Sequence, residues 1–237
     1  MLCVGPFYCV QIPFMETFFL MRHGETAWNR QSRVMGRLEI PLNRQGREQA
    51  KRVARIFGTL GIDAIYTSPL KRSVETALIV AGKHGFPVTI KNNLTELAFG
   101  RWERCLPADL RKDKTYHRFL KEPTRTRLPG GETLLEVQKR GIRAMRRAKR
   151  EHPKGRLLLV THGDVIRAIL CHYLKLPLKE FRRFRVDNAS LTALETNGNW
   201  AEVKFVNYLP DITGISKEPF KGLRPTLPRK PGSRRGF

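Results

Sequence analysis

Apolar positions fall into two kinds of run along this chain. Short, largely unbroken runs occur at Thr17-Phe18-Phe19-Leu20-Met21, Ala64-Ile65-Tyr66-Thr67, Val88 to Ile90 and Leu157-Leu158-Leu159-Val160. Their length and continuity predict buried strands. Longer stretches repeat apolar residues every three or four positions. From Asn43 to Leu60, the set Ala50, Val53, Ala54, Phe57 and Leu60 lies at helical spacing, with Lys and Arg opposite and Gly61 as a stop. Pro69 to Lys83, Pro107 to Leu120, Leu134 to Arg150 and Val165 to Leu174 predict four more helices, the last ended by Pro177. Pro129-Gly130-Gly131-Glu132-Thr133 reads as the loop into the third of these. Arg183 to Val186, Leu191 to Glu195 and Trp200 to Asn207 predict late strands, and Asn197-Gly198 marks a hairpin turn between the last two. Strands alternating with helices predict an α/β fold in three layers, α/β/α, around a mostly parallel central sheet.

The pattern stops at both ends. Residues 1–14 are apolar but lack a basic leading segment and an A-x-A site, so a secretory signal is not expected. Met15 directly precedes the first strand, which makes it the expected start, with 1–14 an extension of no function. Residues 209–237 hold five Pro, four Gly and seven Lys or Arg without apolar periodicity, and read as a disordered basic tail. That leaves one domain, 15–208.

Composition narrows the setting. A 41% hydrophobic content supports a sizeable core, and no run of 18 apolar residues predicts a membrane span. Cys3, Cys9, Cys105 and Cys171 form no close pair and read as incidental thiols of a reducing, cytoplasmic setting. The net charge of +24 is extreme. It is spread over Arg44 to Arg55, Lys139 to Lys154, Arg182 to Arg185 and the tail, with no interleaved aromatics of the kind single-strand binders use. Net charge speaks to non-specific association, so no specific nucleic acid partner and no membrane partner is expected.

The candidate chemistry lies where strands end. The first strand runs into Arg22-His23-Gly24, and in open α/β sheets ligands bind at the carboxyl ends of strands. Arg22 offers a planar fork of donors suited to phosphate; His23 offers a nitrogen that can attack phosphorus. Gly24 would let a ligand approach the backbone. Arg72, in the first turn of the second helix, would aim at the same edge. Two guanidinium groups beside His23 would disfavour its protonated form and keep it nucleophilic. His162-Gly163 ends the fourth strand and would complete a phosphate pocket. Each residue alone also has a plain structural reading: a surface Arg72, a strand-capping His162, a Glu96 paired with a lysine. Glu25, His84, His117, His152 and His172 keep that plain reading, and the spacing of His162 and His172 is not that of metal ligands.

Four segments in order carry a resemblance: Leu20-Met21-Arg22-His23-Gly24-Glu25-Thr26, Ser68-Pro69-Leu70-Lys71-Arg72-Ser73-Val74-Glu75-Thr76-Ala77, Leu94-Thr95-Glu96-Leu97-Ala98-Phe99-Gly100-Arg101-Trp102-Glu103, and the strand ending in Thr161-His162-Gly163-Asp164. Together, over about Thr17 to Tyr208, they resemble the histidine phosphatase superfamily, with its phosphoglycerate-mutase-like fold. Within it the chain is most similar to the broad-specificity and α-ribazole-type phosphatases. The resemblance implies a metal-independent phosphomonoester hydrolase with no cofactor, acting on a small anionic metabolite. It implies a phosphohistidine on His23, a general acid in Glu96, and phosphate contacts from Arg22, Arg72, Asn29, His162 and Gly163. A homodimer is compatible with it. The alternative is a 2,3-bisphosphoglycerate-dependent phosphoglycerate mutase. Mutases of this fold show Tyr-Gly after the acid and a long insertion, whereas here Leu97-Ala98-Phe99-Gly100 follows and the segment up to Pro129 is short. A non-catalytic or RNA-associated protein on the same fold is the third reading. Phosphatases of this type usually carry Gly after Trp-Glu, where this chain has Arg104.

Overall fold

A computed structural model describes residues 15–210. The expected extension at 1–14 and all but the first two residues of the expected tail lie outside the described residues. Six strands form one sheet: β1 (Glu16–Arg22), β2 (Ala64–Thr67), β3 (Val88–Ile90), β4 (Arg156–Thr161), β5 (Leu191–Asn197) and β6 (Trp200–Tyr208). Their spatial order is β3-β2-β4-β1-β5-β6. The first four of these neighbours run parallel, and β5 and β6 add an antiparallel edge. The helices are α1 (Ala27–Arg30), α2 (Arg44–Leu60), α3 (Lys71–Ala81), α4 (Lys114–Lys121), α5 (Leu134–Glu151) and α6 (Gly163–Tyr173). The three-layer α/β/α fold expected from the sequence is thus present.

The central strands are unbroken apolar runs because both faces of the sheet are covered. On β1, Phe18 and Leu20 enter the core shared with α5 and α6, while Phe19 and Met21 enter the core shared with α2 and α3. On β4, Leu157 and Leu159 take the first side, Leu158 and Val160 the second. Helix starts are capped as their sequences suggest. The Asn43 side chain accepts from the Gly46 amide before α2, and Thr133 and Glu136 form a reciprocal capping box before α5.

Several boundaries move. The expected strand at Arg183–Val186 is absent; a 3₁₀ turn covers Leu178–Arg183 and the chain then runs as a loop. The reason is where its carbonyls go: Phe184 accepts from Arg167 Nε at 2.9 Å and Val186 from Arg22 Nη1 at 2.7 Å, so arginines replace a strand ladder. Pro107–Leu120 divides into a 3₁₀ turn at Asp109–Lys112 and α4, because Asp113 breaks in to cap α4 through the Thr115 and Tyr116 amides. The second helix is shorter than expected, starting at Lys71 and tightening into a 3₁₀ turn at Gly82–His84. The β5–β6 turn is centred on Gly198-Asn199, with Asn197 paired to Trp200. Among the described residues, no helix is long and apolar enough to cross a membrane.

Candidate active site

Parallel pairing of β1 and β4 in the register Arg22↔Thr161 carries both strands to the same edge. The next residues are His23 and His162. Their rings lie 5.2 Å apart between centroids, and both are buried. The N-terminal ends of α3 and α6 meet them there, bringing Arg72 and Gly163. A cleft of about 300 Å³ opens at this edge; Arg22, His23, Asn29, Arg72, Glu96, Gly163 and Asp164 line its floor. Trp28, Val34, Met35 and Phe99 add an apolar wall, and Arg33 and Arg167 stand among them. The expected site residues therefore converge from four distant segments. His162 does not line the cleft but stands behind it, against His23.

His23 is held at both ends. Its Nδ1 lies 2.7 Å from the Gly24 carbonyl, which can only accept, so Nδ1 carries the proton. Nε2 is then bare, and accepts from Arg72 Nε at 3.2 Å. Burial first, then the Arg72 and Arg22 charges, hold the His23 pKa well below 6.5. The ring is neutral, with its unprotonated nitrogen toward Arg72.

Arg72 is fully buried, and its other donors reach the carbonyls of Leu38 (2.9 Å) and Gly36 (2.7 Å). Desolvation lowers its pKa to about 10, so it stays charged at neutral pH. Arg22 is lowered too, by burial, and its Nε is buried without a partner. An unpaired guanidinium nitrogen at this edge is suited to an anionic ligand. The start of α6 adds free backbone N–H groups and the positive end of its dipole, since His162 caps it with no side-chain bond.

Asn29 closes a capping box with Thr26, whose amide donates to Asn29 Oδ1 at 3.0 Å. Asn188 Nδ2 donates to the same oxygen at 3.2 Å and to the His23 carbonyl at 3.2 Å. With Oδ1 so occupied, the Asn29 amide group is left to donate. Glu96 faces the cations from the far side. Burial, and next the nearby Asp164 charge, push its pKa up to about 7, against opposing pulls from the Leu97 amide, Arg72 and Arg22.

The Gly24 expectation is corrected. A Cβ there would sit 2.5 Å from the Gly46 carbonyl oxygen, so the space belongs to the start of α2 and not to a ligand. The contact is reciprocal, since a Cβ on Gly46 would meet the Glu25 oxygen at 2.1 Å.

Sequence reading missed several supports. Thr76 Oγ1 accepts from the Gly24 amide (3.0 Å) and donates to the Arg72 carbonyl (2.6 Å), tying the segments of His23 and Arg72 together. Arg140 binds the carbonyls of Thr95 and Glu96 and pairs with Glu132, pinning the loop that carries Glu96. Its signal was available: a cation three residues after Val137 and four before Ala144, on the buried face of α5. Ser68 and Ser73, whose hydroxyls lie 2.8 and 3.3 Å from His162 Nε2, gave no periodic signal. His84, His117, His152 and His172 all lie away from the cleft, as expected. Among the described residues, no group of His, Cys, Asp or Glu is placed to hold a metal ion.

Residues 18–208 match the family model described as histidine phosphatase superfamily (branch 1). The chain belongs to the histidine phosphatase superfamily, whose members are phosphatases or mutases. "Phosphoserine phosphatase 1" of Hydrogenobacter thermophilus is 31% identical over 182 residues, covering 76% of this chain and 86% of that one. "Probable phosphoglycerate mutase GpmB" of Salmonella paratyphi B is 35% identical over 184 residues, covering 76% and 85%. Among solved structures, the alpha-ribazole phosphatase from Shigella flexneri superposes with a TM-score of 0.74 at 27% identity, covering 81% of this chain and 96% of that chain.

Proposed function

We propose that this chain is a phosphomonoesterase that works through a phosphohistidine on His23 and takes a small anionic metabolite. The observation that carries the reading is the pairing across one cleft of a bare, neutral His23 Nε2 with a Glu96 carboxyl held near pH 7. In the first step Nε2 attacks phosphorus and the ester P–O bond breaks. The leaving alkoxide takes the Glu96 proton. In the second step Glu96, now a carboxylate, removes a proton from water as its oxygen attacks the phosphohistidine; the P–N bond breaks, phosphate leaves and His23 regains its lone pair. Arg22 and Arg72 neutralise the equatorial oxygens in both steps, with Asn29, Gly163 and His162 as further donors. The positive charge supplied by these side chains is what allows the reaction to proceed without a metal or cofactor. The substrate is the one partner the reading requires.

The similarity to a phosphoglycerate mutase favours one second reading, transfer of the phosphoryl group back to a bound product. Phe99-Gly100-Arg101-Trp102 beside the acid and the short segment before Pro129 favour water as acceptor. The test is twofold. A phosphoenzyme trapped during turnover should be acid-labile and base-stable, map to His23, and vanish in His23→Ala. Phosphate release should exceed interconversion of phosphoglycerates in the presence of 2,3-bisphosphoglycerate; the opposite ranking assigns the chain as a mutase.

A further inference from the structure

Glu96 is held through the peptide that follows it. The Leu97 amide donates to Glu96 Oε1 at 2.9 Å, so the direction of this one N–H places the carboxyl. At the other end of the same peptide, the Glu96 carbonyl accepts from Arg140 Nη2 at 3.0 Å and from Arg37 Nε at 3.3 Å. A trans peptide is planar and stiff, and its C=O and N–H point in opposite directions. Whatever fixes the carbonyl therefore aims the N–H.

The two arginines come from different parts of the fold and meet on Glu132. Arg140, on α5, is buried, and its five N–H groups find five acceptors: Glu132 Oε1 (3.2 Å) and Oε2 (3.1 Å), and the carbonyls of Asn93, Thr95 and Glu96. Arg37, with a side chain 43% exposed, reaches Glu132 Oε1 at 2.8 Å. The Ala98 amide donates to Glu132 Oε2 at 3.1 Å and closes the ring. Arg37 does not line the cleft, but its neighbours serve it. The Gly36 and Leu38 carbonyls accept from Arg72 at 2.7 and 2.9 Å. The segment Gly36-Arg37-Leu38 thus holds Arg72 by its main chain and the Glu96 peptide by its one long side chain.

We propose that Arg37 is a positioning residue: bridged by Glu132 to Arg140, it orients the Glu96–Leu97 peptide and so sets the Glu96 carboxyl in register with the Arg72 and His23 side of the cleft. Its part in turnover rests on the reading of Glu96 as proton donor; the clamp on the peptide does not. An ion pair this exposed adds little to stability, so the role separates from folding. Geometry and charge also separate. Arg37→Ala removes a positive charge near Glu96, and Glu132→Gln a negative one. Charge alone would move the Glu96 pKa up in the first variant and down in the second. Loosening the peptide deprives the carboxylate of its Leu97 N–H, which moves the pKa up in both.

The experiment uses the full chain labelled with ¹³C and ¹⁵N and titrated without substrate, the Glu96 carboxyl carbon being assigned with Glu96→Gln. In the wild type the Leu97 amide shift should follow that carboxyl through about pH 7. In Arg37→Ala and in Glu132→Gln the midpoint should rise and the Leu97 response shrink. At pH 6, kcat/KM for an alkyl phosphate should fall roughly 10–10²-fold in either variant, the scale of a displaced reacting group, and far less for p-nitrophenyl phosphate. The double variant should lose little more than the worse single one, because both break one link. Arg37→Lys, which keeps a cation for Glu132, should recover part of the rate. Arg37→Ala should keep the wild-type Tm and the wild-type inhibition by inorganic phosphate, since main-chain carbonyls hold Arg72. Midpoints that move in opposite directions, an unchanged Leu97 response, or additive losses in the double variant overturn the proposal. Titrations as expected in a wild type that releases phosphate from no phosphomonoester sink the phosphatase reading, and leave the clamp standing.

Discussion

Replacing Glu96 by Gln should move activity and stability in opposite directions. The wild-type carboxyl has been raised from 4.5 to about 7, chiefly by burial. At that value roughly nine-tenths is protonated at pH 6 and roughly one-tenth at pH 8. For a substrate with a poor leaving group, kcat/KM should therefore fall roughly tenfold over that interval, with no acidic limb from His23, whose pKa lies well below 6.5. Glu96→Gln cannot donate, and should lose about 10²–10⁴-fold on an alkyl phosphate but far less on p-nitrophenyl phosphate, which needs no proton. Stability follows from the sign of the shift. A carboxyl whose folded pKa is raised contributes its full stability below 4.5, and loses it as pH rises through about 7. The difference between the two values is worth roughly 3 kcal/mol, an upper figure for the cost of charging this group in the fold. Gln carries no charge at any pH. The variant should match the wild type near pH 4 and exceed it at pH 8 by up to roughly 3 kcal/mol, or roughly 2–4 °C in Tm per kcal/mol. Urea unfolding at both pH values, beside phosphate-release profiles, reads both effects. A variant less stable than wild type at pH 8, or fully active on an alkyl phosphate, would refute the reasoning.

Three further outcomes are expected. Gly24→Ala should cost about 1–3 kcal/mol in urea unfolding and depress turnover, because its Cβ meets the rigid Gly46 backbone at 2.5 Å; wild-type values for both would contradict the packing argument. Arg104→Gly should stabilise the fold. Arg104 sits at φ +76°, a conformation costing roughly 1–2 kcal/mol with a side chain, and glycine returns roughly 0.5–1 kcal/mol of that in unfolded-state entropy. A lowered Tm would show that the exposed Arg104 side chain makes contacts worth more than the strain. Excess chelator should leave phosphate release unchanged, since the buried Arg72 and half-buried Arg22 already supply two cations; a rate lost to chelator and restored by a divalent ion would contradict this.

Much of the scaffold was legible in the sequence because burial on both faces leaves a plain mark. β1 and β4 are unbroken apolar runs, and α2 and α5 repeat at helical spacing between polar faces. Arg22, His23, Arg72 and His162 could be picked out because each stands at or beside the end of such an element, and Glu96 through the family resemblance of its loop; the structure gathers them at one edge. What escaped notice depends on contacts with no period. Arg183–Val186 looks like a strand until its carbonyls are seen to serve Arg167 and Arg22. Gly24 looks like an opening for a ligand until Gly46 fills it. Ser68 and Ser73 are ordinary loop and helix residues in the sequence, and only tertiary proximity gives them His162 as a partner. Arg140 alone among the supports broke a pattern visibly.

The separation of the two active-edge histidines is set by the β1–β4 ladder, in which Arg22 stands opposite Thr161. It is a length fixed by backbone hydrogen bonds, and side-chain substitution cannot adjust it. A slip of one residue would turn His23 to the other face of the sheet and abolish the pair outright, so no series of small steps leads from this spacing to another. The wall made by Trp28, Val34, Met35 and Phe99 belongs to no strand and carries no such restriction. Under the proposed function, that wall is where selection, natural or in the laboratory, can exchange the molecule that carries the phosphate, while the histidine end stays as an unaltered gauge.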